Sequence, residues 1–148
     1  MLPNETLSYI QGLLHMATAA AEGAGPSGIE CEFFPAEGFA EDFAACYELA
    51  PGRIRLVPEQ ESLDGLLTLW LAGWDGPRER DRRIARELAW LLRRTLGLPR
   101  ALYRLDDEEA ILADMSGRDG LGPFFFLEGC FLAAYETGLL CFFLGNDE

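Results

Sequence analysis

The C-terminal segment carries the most apolar sequence of the chain, and it limits the folds that are available. Three short apolar runs, PFFFL, CFLAAY and LLCFFL, follow one another and are separated only by EG and ETG. Short connectors that contain glycine are typical of β-hairpins, so the pattern predicts a three-stranded antiparallel meander from Phe124 to Leu144. These runs hold more apolar surface than one helix covers, which predicts a homodimer formed through the edge or the face of the sheet.

The clearest single element is an amphipathic, arginine-rich helix over residues 77–96. At 100° per residue, Ile84, Leu88, Leu91 and Leu92 fall on one face of this helix. Proline 77 suits the first helical position, and a glycine at position 97 followed by a proline ends the helix. We expect the apolar face of this helix to pack on the sheet.

The remaining elements are predicted from periodicity and from turn residues. The first helix is expected from Asn4, a favourable N-cap, to Glu22. Residues 29–34 alternate in polarity and are predicted to form a strand. Residues 44–49 and 53–57 are predicted to form a hairpin through Pro51 and Gly52. Further strands are predicted over residues 66–72, which are apolar throughout, and over residues 101–105. Residues 106–115 fit either a strand or a short helix.

The order of these elements decides the fold class. They do not alternate strictly as strand, helix, strand, so the sequence predicts an α+β fold rather than a doubly wound one. A chain of 148 residues fits a single domain spanning residues 1–148. The expected architecture is an N-terminal helix, a mainly antiparallel sheet that ends in the meander, and the arginine-rich helix packed on that sheet.

The lack of a recognisable targeting signal and the spacing of the cysteines favour a cytoplasmic protein. The N-terminus lacks the basic start and the cleavage site of a signal peptide, and the apolar runs fall short of the ~20 residues that cross a membrane. The four cysteines show no CxxC spacing and are expected to be buried free thiols. With His15 as the single histidine, we expect no metal site and no cofactor.

Catalytic signatures are absent from the sequence. It contains no GxSxG, HExxH, GxxxxGK[ST] or GxGxxG motif. Acidic clusters such as DDEE are typical of solvated turns, although pairs of carboxylates also occur in glycosidase sites. The sequence therefore favours a protein that is not an enzyme, and no catalytic residue is predicted.

Charge is strongly negative overall but unevenly distributed. The chain has 25 acidic and 12 basic residues, a net charge of −13, and every basic residue is an arginine. Residues 77–104 hold nine arginines and three carboxylates, so they carry +6 and the rest of the chain carries −19. Such a balance argues against nucleic acid, whose binding depends on the neutralisation of phosphates, and favours a basic protein partner.

Trp90 lies on the polar face of the arginine-rich helix, where Arg83, Arg86, Arg93 and Arg94 surround it. Guanidinium groups at these spacings can stack on the indole, at about 0.5–1 kcal/mol for each exposed pair. One interpretation is an internal seam, in which Trp90 packs under acidic parts of the same chain. The other is a surface site for an acidic partner or an anionic ligand, since tryptophan and arginine are enriched in binding hot spots. The sequence favours the seam.

Trp74 precedes the arginine-rich helix and is a further candidate for a ligand site. It lies at the junction between the apolar run over residues 66–72 and the start of this helix. Ligand pockets often form at such junctions.

Three functions remain open from the sequence. The first is a non-enzymatic acidic binding or inhibitor protein of the bacterial cytoplasm, of the kind that immunity proteins exemplify, which neutralises a basic partner. The second is a protein or enzyme that binds a small ligand through arginine and acidic residues near Trp74 and Trp90. The third is a structural or chaperone-like subunit that assembles with copies of itself.

Overall fold

The computed structural model describes residues 4–21, 28–72, 78–115 and 126–146, and it confirms the α+β class. Its helices are α1 (Asn4–Ala21), α2 (Phe39–Cys46), α3 (Leu63–Leu71), α4 (Glu79–Leu96) and α5 (Glu108–Met115). Its strands are β1 (Gly28–Phe34), β2 (Leu56–Pro58), β3 (Ala101–Leu105), β4 (Phe126–Tyr135) and β5 (Gly138–Asn146). The predictions of α1, β1, α4 and β3 are confirmed within one or two residues.

The strands form one antiparallel sheet in the order β1-β5-β4-β3-β2. Successive side chains point to opposite faces of the sheet, and both faces are covered. Phe131 and Phe142 stack with ring centroids 4.6 Å apart on the face that packs with α1, α3 and α4. Leu132 and Cys141 pack with α2 and α5 on the other face. The sheet therefore separates two helical layers, each with its own apolar core.

The C-terminal segment forms two long strands where the apolar runs predict three. The EG pair, Glu128 and Gly129, is no turn but lies inside β4, where the register with β5 shifts between Leu127 and Gly129 in a β-bulge. A Cβ atom on Gly129 would come within 3.2 Å of the ring of Trp70. This glycine therefore serves close packing of α3 on the sheet. The second connector, at Glu136 and Thr137, does form the expected hairpin turn.

The prediction of a central strand over residues 66–72 is wrong, because these residues belong to α3. The Ser62 hydroxyl accepts a hydrogen bond from the Gly65 N–H at 3.2 Å and caps the helix. Leu66, Leu67 and Leu71 are buried on one side, whereas Leu69 is 55% exposed. A short run that is apolar on all sides shows no periodicity, so it does not distinguish a strand from a helix.

The predicted hairpin over residues 44–57 is also wrong. Three aromatic rings, each four residues from the next, lie together along α2 and its C-cap: Phe39, Phe43 and Tyr47. The ring centroids of Phe39 and Phe43 are 5.5 Å apart, and those of Phe43 and Tyr47 are 4.9 Å apart. This spacing of four is the helical one, and it outweighs the turn signal of Pro51 and Gly52, from which a strand over residues 44–49 is predicted. Residues 51–53 form a 3-10 turn, and only the short β2 pairs with β3. Residues 108–115, which fit either state, are helical.

A side chain of α1 makes hydrogen bonds to the free edge of β1. The Gln11 side-chain oxygen accepts from the Cys31 N–H at 2.8 Å, and its nitrogen donates to the Ile29 carbonyl at 3.1 Å. Gln11 thus takes the place of a neighbouring strand. Residues 139–143 of β5 are buried within the chain. In the described part of the chain, the apolar sheet surface on which the homodimer prediction depends is already covered.

Two further predictions concern membranes and loops. Among the helices that the structure describes, none is long and apolar enough to cross a bilayer. The composition of GAGPSG, residues 23–28, predicts a turn or short linker, and that of SGRDGLGP, residues 116–123, predicts a loop. Apart from Gly28, both segments lie outside the described residues.

Candidate functional site

Trp90 lies at the surface, with 54% of its side chain exposed. The buried face of α4 is formed by Ala85, Leu88 and Leu92, which join the core shared with α1 and α3. Trp90 points away from this stripe because it is two residues from Leu92, or about 200° around the helix. The interpretation of Trp90 as part of an internal seam is therefore wrong.

The four arginines predicted around Trp90 are exposed with it on the same face of α4. The guanidinium carbon of Arg94 lies 5.0 Å from the centroid of the Trp90 ring, a cation–π distance. The Arg86 guanidinium lies 3.5 Å from a carboxylate oxygen of Glu79. We call these five residues the α4 surface: Arg83, Arg86, Trp90, Arg93 and Arg94.

Three guanidinium groups of the α4 surface have no carboxylate partner in the described part of the chain. No Asp or Glu oxygen of these residues lies within 4.0 Å of Arg83, Arg93 or Arg94. Among the described residues, these three guanidinium groups therefore keep hydrogen-bond donors available, although the protein has a net charge of −13. The α4 surface can therefore bind anionic groups, with Trp90 as an apolar and aromatic contact.

A cleft of about 330 Å³ adjoins Trp90 on the side that faces α3. Leu63 and Asp64, in the first turn of α3, form one wall, and Arg86, Ala89, Trp90 and Arg93 of α4 form the other. Residues 97–99 close one end of the cleft. The Asp64 carboxylate accepts a hydrogen bond from the Ser62 hydroxyl at 2.8 Å. The cleft thus combines apolar walls with two guanidinium groups and one carboxylate.

The end of α4 shapes this cleft through its glycine. Gly97 has a φ of 84°, which a residue with a side chain adopts only with strain, and its N–H donates to the Arg93 carbonyl at 2.8 Å. The chain therefore leaves the helix abruptly. This places Leu98, 65% exposed, and Pro99 beside the cleft.

Sequence reasoning found the α4 surface but missed the other side of the cleft. Trp74, the further candidate for a ligand site, lies outside the described residues. Leu63 and Asp64 could not be placed because α3 was expected to be a strand. Leu98 did carry a signal, since an exposed leucine between a helix-ending glycine and a proline has no apolar stripe to join.

No family model, curated protein or solved structure matches this chain.

A second charged surface lies on the other side of the sheet, around α2 and α5. No arginine occurs in residues 36–48 or 105–115. We call six of the exposed carboxylates in these segments the acidic side: Glu37, Glu41, Asp42, Asp106, Asp107 and Glu109. Arginines from elsewhere pair with other carboxylates of this layer, as Arg53 does with Asp114 and Arg104 does with Glu108. The fold thus places basic and acidic surfaces on opposite helical layers.

The cysteines behave as the sequence predicts, with one exception. Cys31, Cys130 and Cys141 are buried, whereas Cys46 is exposed, and all four are free. In the described residues, no three histidine, cysteine or acidic side chains are grouped to hold a metal ion. Burial raises the pKa of Cys31 to about 12, with Glu30 and Glu32 adding to the effect. The pKa of Cys46 is also raised from 9.0, through partial burial and through Glu32.

These pKa shifts predict slow and selective thiol chemistry. The thiolate is the reactive form, and a raised pKa lowers its population at pH 8. We therefore expect iodoacetamide to modify only Cys46 in the native protein, more slowly than free cysteine, with a rate that still rises above pH 9. Mass spectrometry of the labelled protein measures this. Cys46→Ser should abolish the native reaction, and denaturation should expose all remaining thiols. Rapid native labelling of Cys31 would contradict the burial described here.

Proposed function

We propose that this protein is a non-enzymatic binding protein whose recognition surface is the α4 surface. The observation that carries the proposal is the exposure of Trp90 among four arginines, three of which have no carboxylate partner in the described part of the chain. Tryptophan and arginine are the residues most enriched in the hot spots of protein interfaces. The adjoining cleft adds a concave, partly apolar feature into which a partner can insert a side chain.

The energetics of Trp90 support this proposal. A tryptophan buries about 150–250 Å² when it is covered completely, and 54% of Trp90 is still exposed. At about 25 cal/mol per Å², covering the rest would contribute about 2–3 kcal/mol to association. The fold gains nothing from this exposed area, because Leu88 and Leu92 already anchor α4 in the core. A partner that covers Trp90 would gain the free energy of burying this area.

The acidic side favours a second candidate function. In this candidate the protein is an inhibitor of the immunity type, and its carboxylates neutralise a basic partner. The supporting observation is that the exposed carboxylates of the acidic side are segregated from the basic α4 surface by the sheet. Association through this side would be steered by charge and would slow steeply as salt increases.

One crosslinking experiment tests both candidates. A photo-crosslinking amino acid, p-benzoylphenylalanine, replaces Leu98 beside the cleft, Glu41 on the acidic side, or Met16 on α1, in cells that encode the protein. Leu98 and Met16 are similarly exposed, at 65% and 70%, so Met16 is the matched control. We expect a specific adduct at position 98 that Arg93→Ala removes, because the partner then loses a charged contact of the α4 surface.

The other outcomes of this experiment also decide between the candidates. A specific adduct at position 41 alone would contradict the main proposal and favour the basic partner. Adducts of equal strength at all three positions, or at none, would contradict both. Mass spectrometry of a specific adduct identifies the partner.

A further inference from the structure

We infer that the α4 surface binds an extended acidic peptide segment of a partner protein, with one apolar side chain of that segment in the cleft beside Trp90. This inference rests on the proposed function and adds the chemistry of the partner. It depends on the length of the arginine row, the composition of the cleft and the position of Asp64.

The arginine row is longer than a small ligand. Arg83 and Arg94 are eleven residues apart on one helix, and at 1.5 Å per residue they are separated by about 16 Å along its axis. A small anion contacts one or two guanidinium groups of such a row. An extended chain advances about 3.3 Å per residue, so about five residues would span the whole row. This length favours a peptide segment.

The cleft near the middle of this row accepts an apolar group. Most of its lining is apolar: Leu63, Ala89, Trp90, Leu98 and Pro99. Its volume of about 330 Å³ is at the lower end of ligand pockets, which begin near 300 Å³. It therefore suits a single side chain better than a complete cofactor.

Asp64 sets the arrangement of charge in the ligand. Asp64 belongs to the α3 wall of the cleft, and its negative charge would repel an acidic side chain inserted there. Arg86 and Arg93 lie on the opposite wall, where they can contact carboxylates at the rim. The favoured segment therefore has an uncharged apolar residue in its centre and carboxylates on either side.

The charge of the whole chain argues for a short acidic segment over a polyphosphate. Glu79 and Glu87 are exposed on or beside the α4 surface, and the net charge is −13. A nucleic acid carries one charge on every phosphate, and repulsion by the rest of the chain grows with each additional phosphate. A segment with a few carboxylates would engage Arg83, Arg93 and Arg94 with less repulsion.

The test uses the full chain and a fluorescein-labelled peptide of sequence Asp-Glu-Leu-Glu-Asp with blocked ends. Fluorescence anisotropy should show saturable binding that weakens as salt rises, because exposed charges are screened. Trp90→Ala and Arg93→Ala should each weaken binding by about tenfold or more, as expected of hot-spot residues. Arg100→Ala is the matched control and should bind normally, since Arg100 is exposed near Glu136 and does not line the cleft. Circular dichroism verifies that each variant is folded.

Two altered probes test the arrangement of charge. A peptide with serine in place of the central leucine, and a peptide with amides in place of the four carboxylates, should both bind more weakly than the original. Equal binding of all three peptides would overturn the inference, as would equal binding by wild type, Trp90→Ala and Arg93→Ala. Tighter binding of a single-stranded oligothymidine than of the acidic peptide would identify a nucleic-acid site and would also overturn it.

Two results separate this inference from the proposed function. If no peptide binds but position 98 still crosslinks a partner, the acidic-segment inference is wrong and the proposed function stands. If light scattering shows self-association that Arg93→Ala abolishes, the α4 surface binds the acidic side of a second copy. That result would overturn binding of a peptide segment.

Discussion

Replacing Leu92 by alanine is expected to destabilise the protein by about 2–5 kcal/mol, whereas Trp90→Ala, two residues away, should cost less than about 1 kcal/mol. Leu92 is completely buried in the core that α4 shares with α1 and α3. Its truncation removes apolar contacts and leaves a cavity. Trp90 is the larger side chain, but it is 54% exposed, and its described ring contact is the cation–π contact with Arg94. An exposed contact of this type contributes about 0.5–1 kcal/mol.

Chemical denaturation of the two variants measures this contrast. Because both residues lie on α4, any difference in helix propensity between leucine, tryptophan and alanine is small beside the expected effect of the cavity. A loss of 3 kcal/mol or more in Trp90→Ala would show that the indole is buried, and it would remove the basis of the proposed function. An equally stable Leu92→Ala variant would contradict the position of α4 in the core.

The site could be predicted from the sequence only where its residues share one element. The period of a single helix places Arg83, Arg86, Trp90, Arg93 and Arg94 together, and the predicted end of this helix at Gly97 agrees with the structure. The cleft also needs α3, and its apolar run contains no periodic signal that separates helix from strand. The exposure of Trp90 depends on which face of α4 meets α1 and α3. That is a tertiary contact, so local sequence does not determine it.

The fold shows the same limit. The strands β1 and β3 alternate in polarity or are bounded by turn residues, and they form as predicted. On α2, the helical spacing of Phe39, Phe43 and Tyr47 was present in the sequence, but the turn signal of Pro51 and Gly52 favoured a hairpin that included residues 44–49. In β4, Gly129 resembles a turn residue because turns and bulges both need a residue without a side chain. Only the position of Trp70 explains why the glycine is inside a strand.

Gly138→Ala is expected to destabilise the protein by about 1–3 kcal/mol, as overpacking of a closely packed site does. Gly138 begins β5 directly after the hairpin turn, with a φ of 156°. A Cβ atom at this position would lie 2.5 Å from the ring of Phe33 and 2.5 Å from the backbone oxygen of Phe34. The Phe33 side chain could relieve its contact only by a change in χ1, and the Phe34 oxygen belongs to the backbone of β1, so relief there requires β1 and β5 to move apart. Thermal unfolding should show a clear decrease in Tm.

Gly12→Ala is the matched control for this substitution. Gly12 lies in the exposed part of α1, and a Cβ atom there meets nothing within 4 Å. Alanine has a higher helix propensity than glycine, so this variant should be more stable by about 0.5–1 kcal/mol. The same chemical change thus has opposite expected signs at the two positions. If Gly138→Ala were as stable as wild type, the hairpin would not pack against β1 as closely as the structure shows. That result would contradict the pairing of β1 with β5 at this end of the sheet.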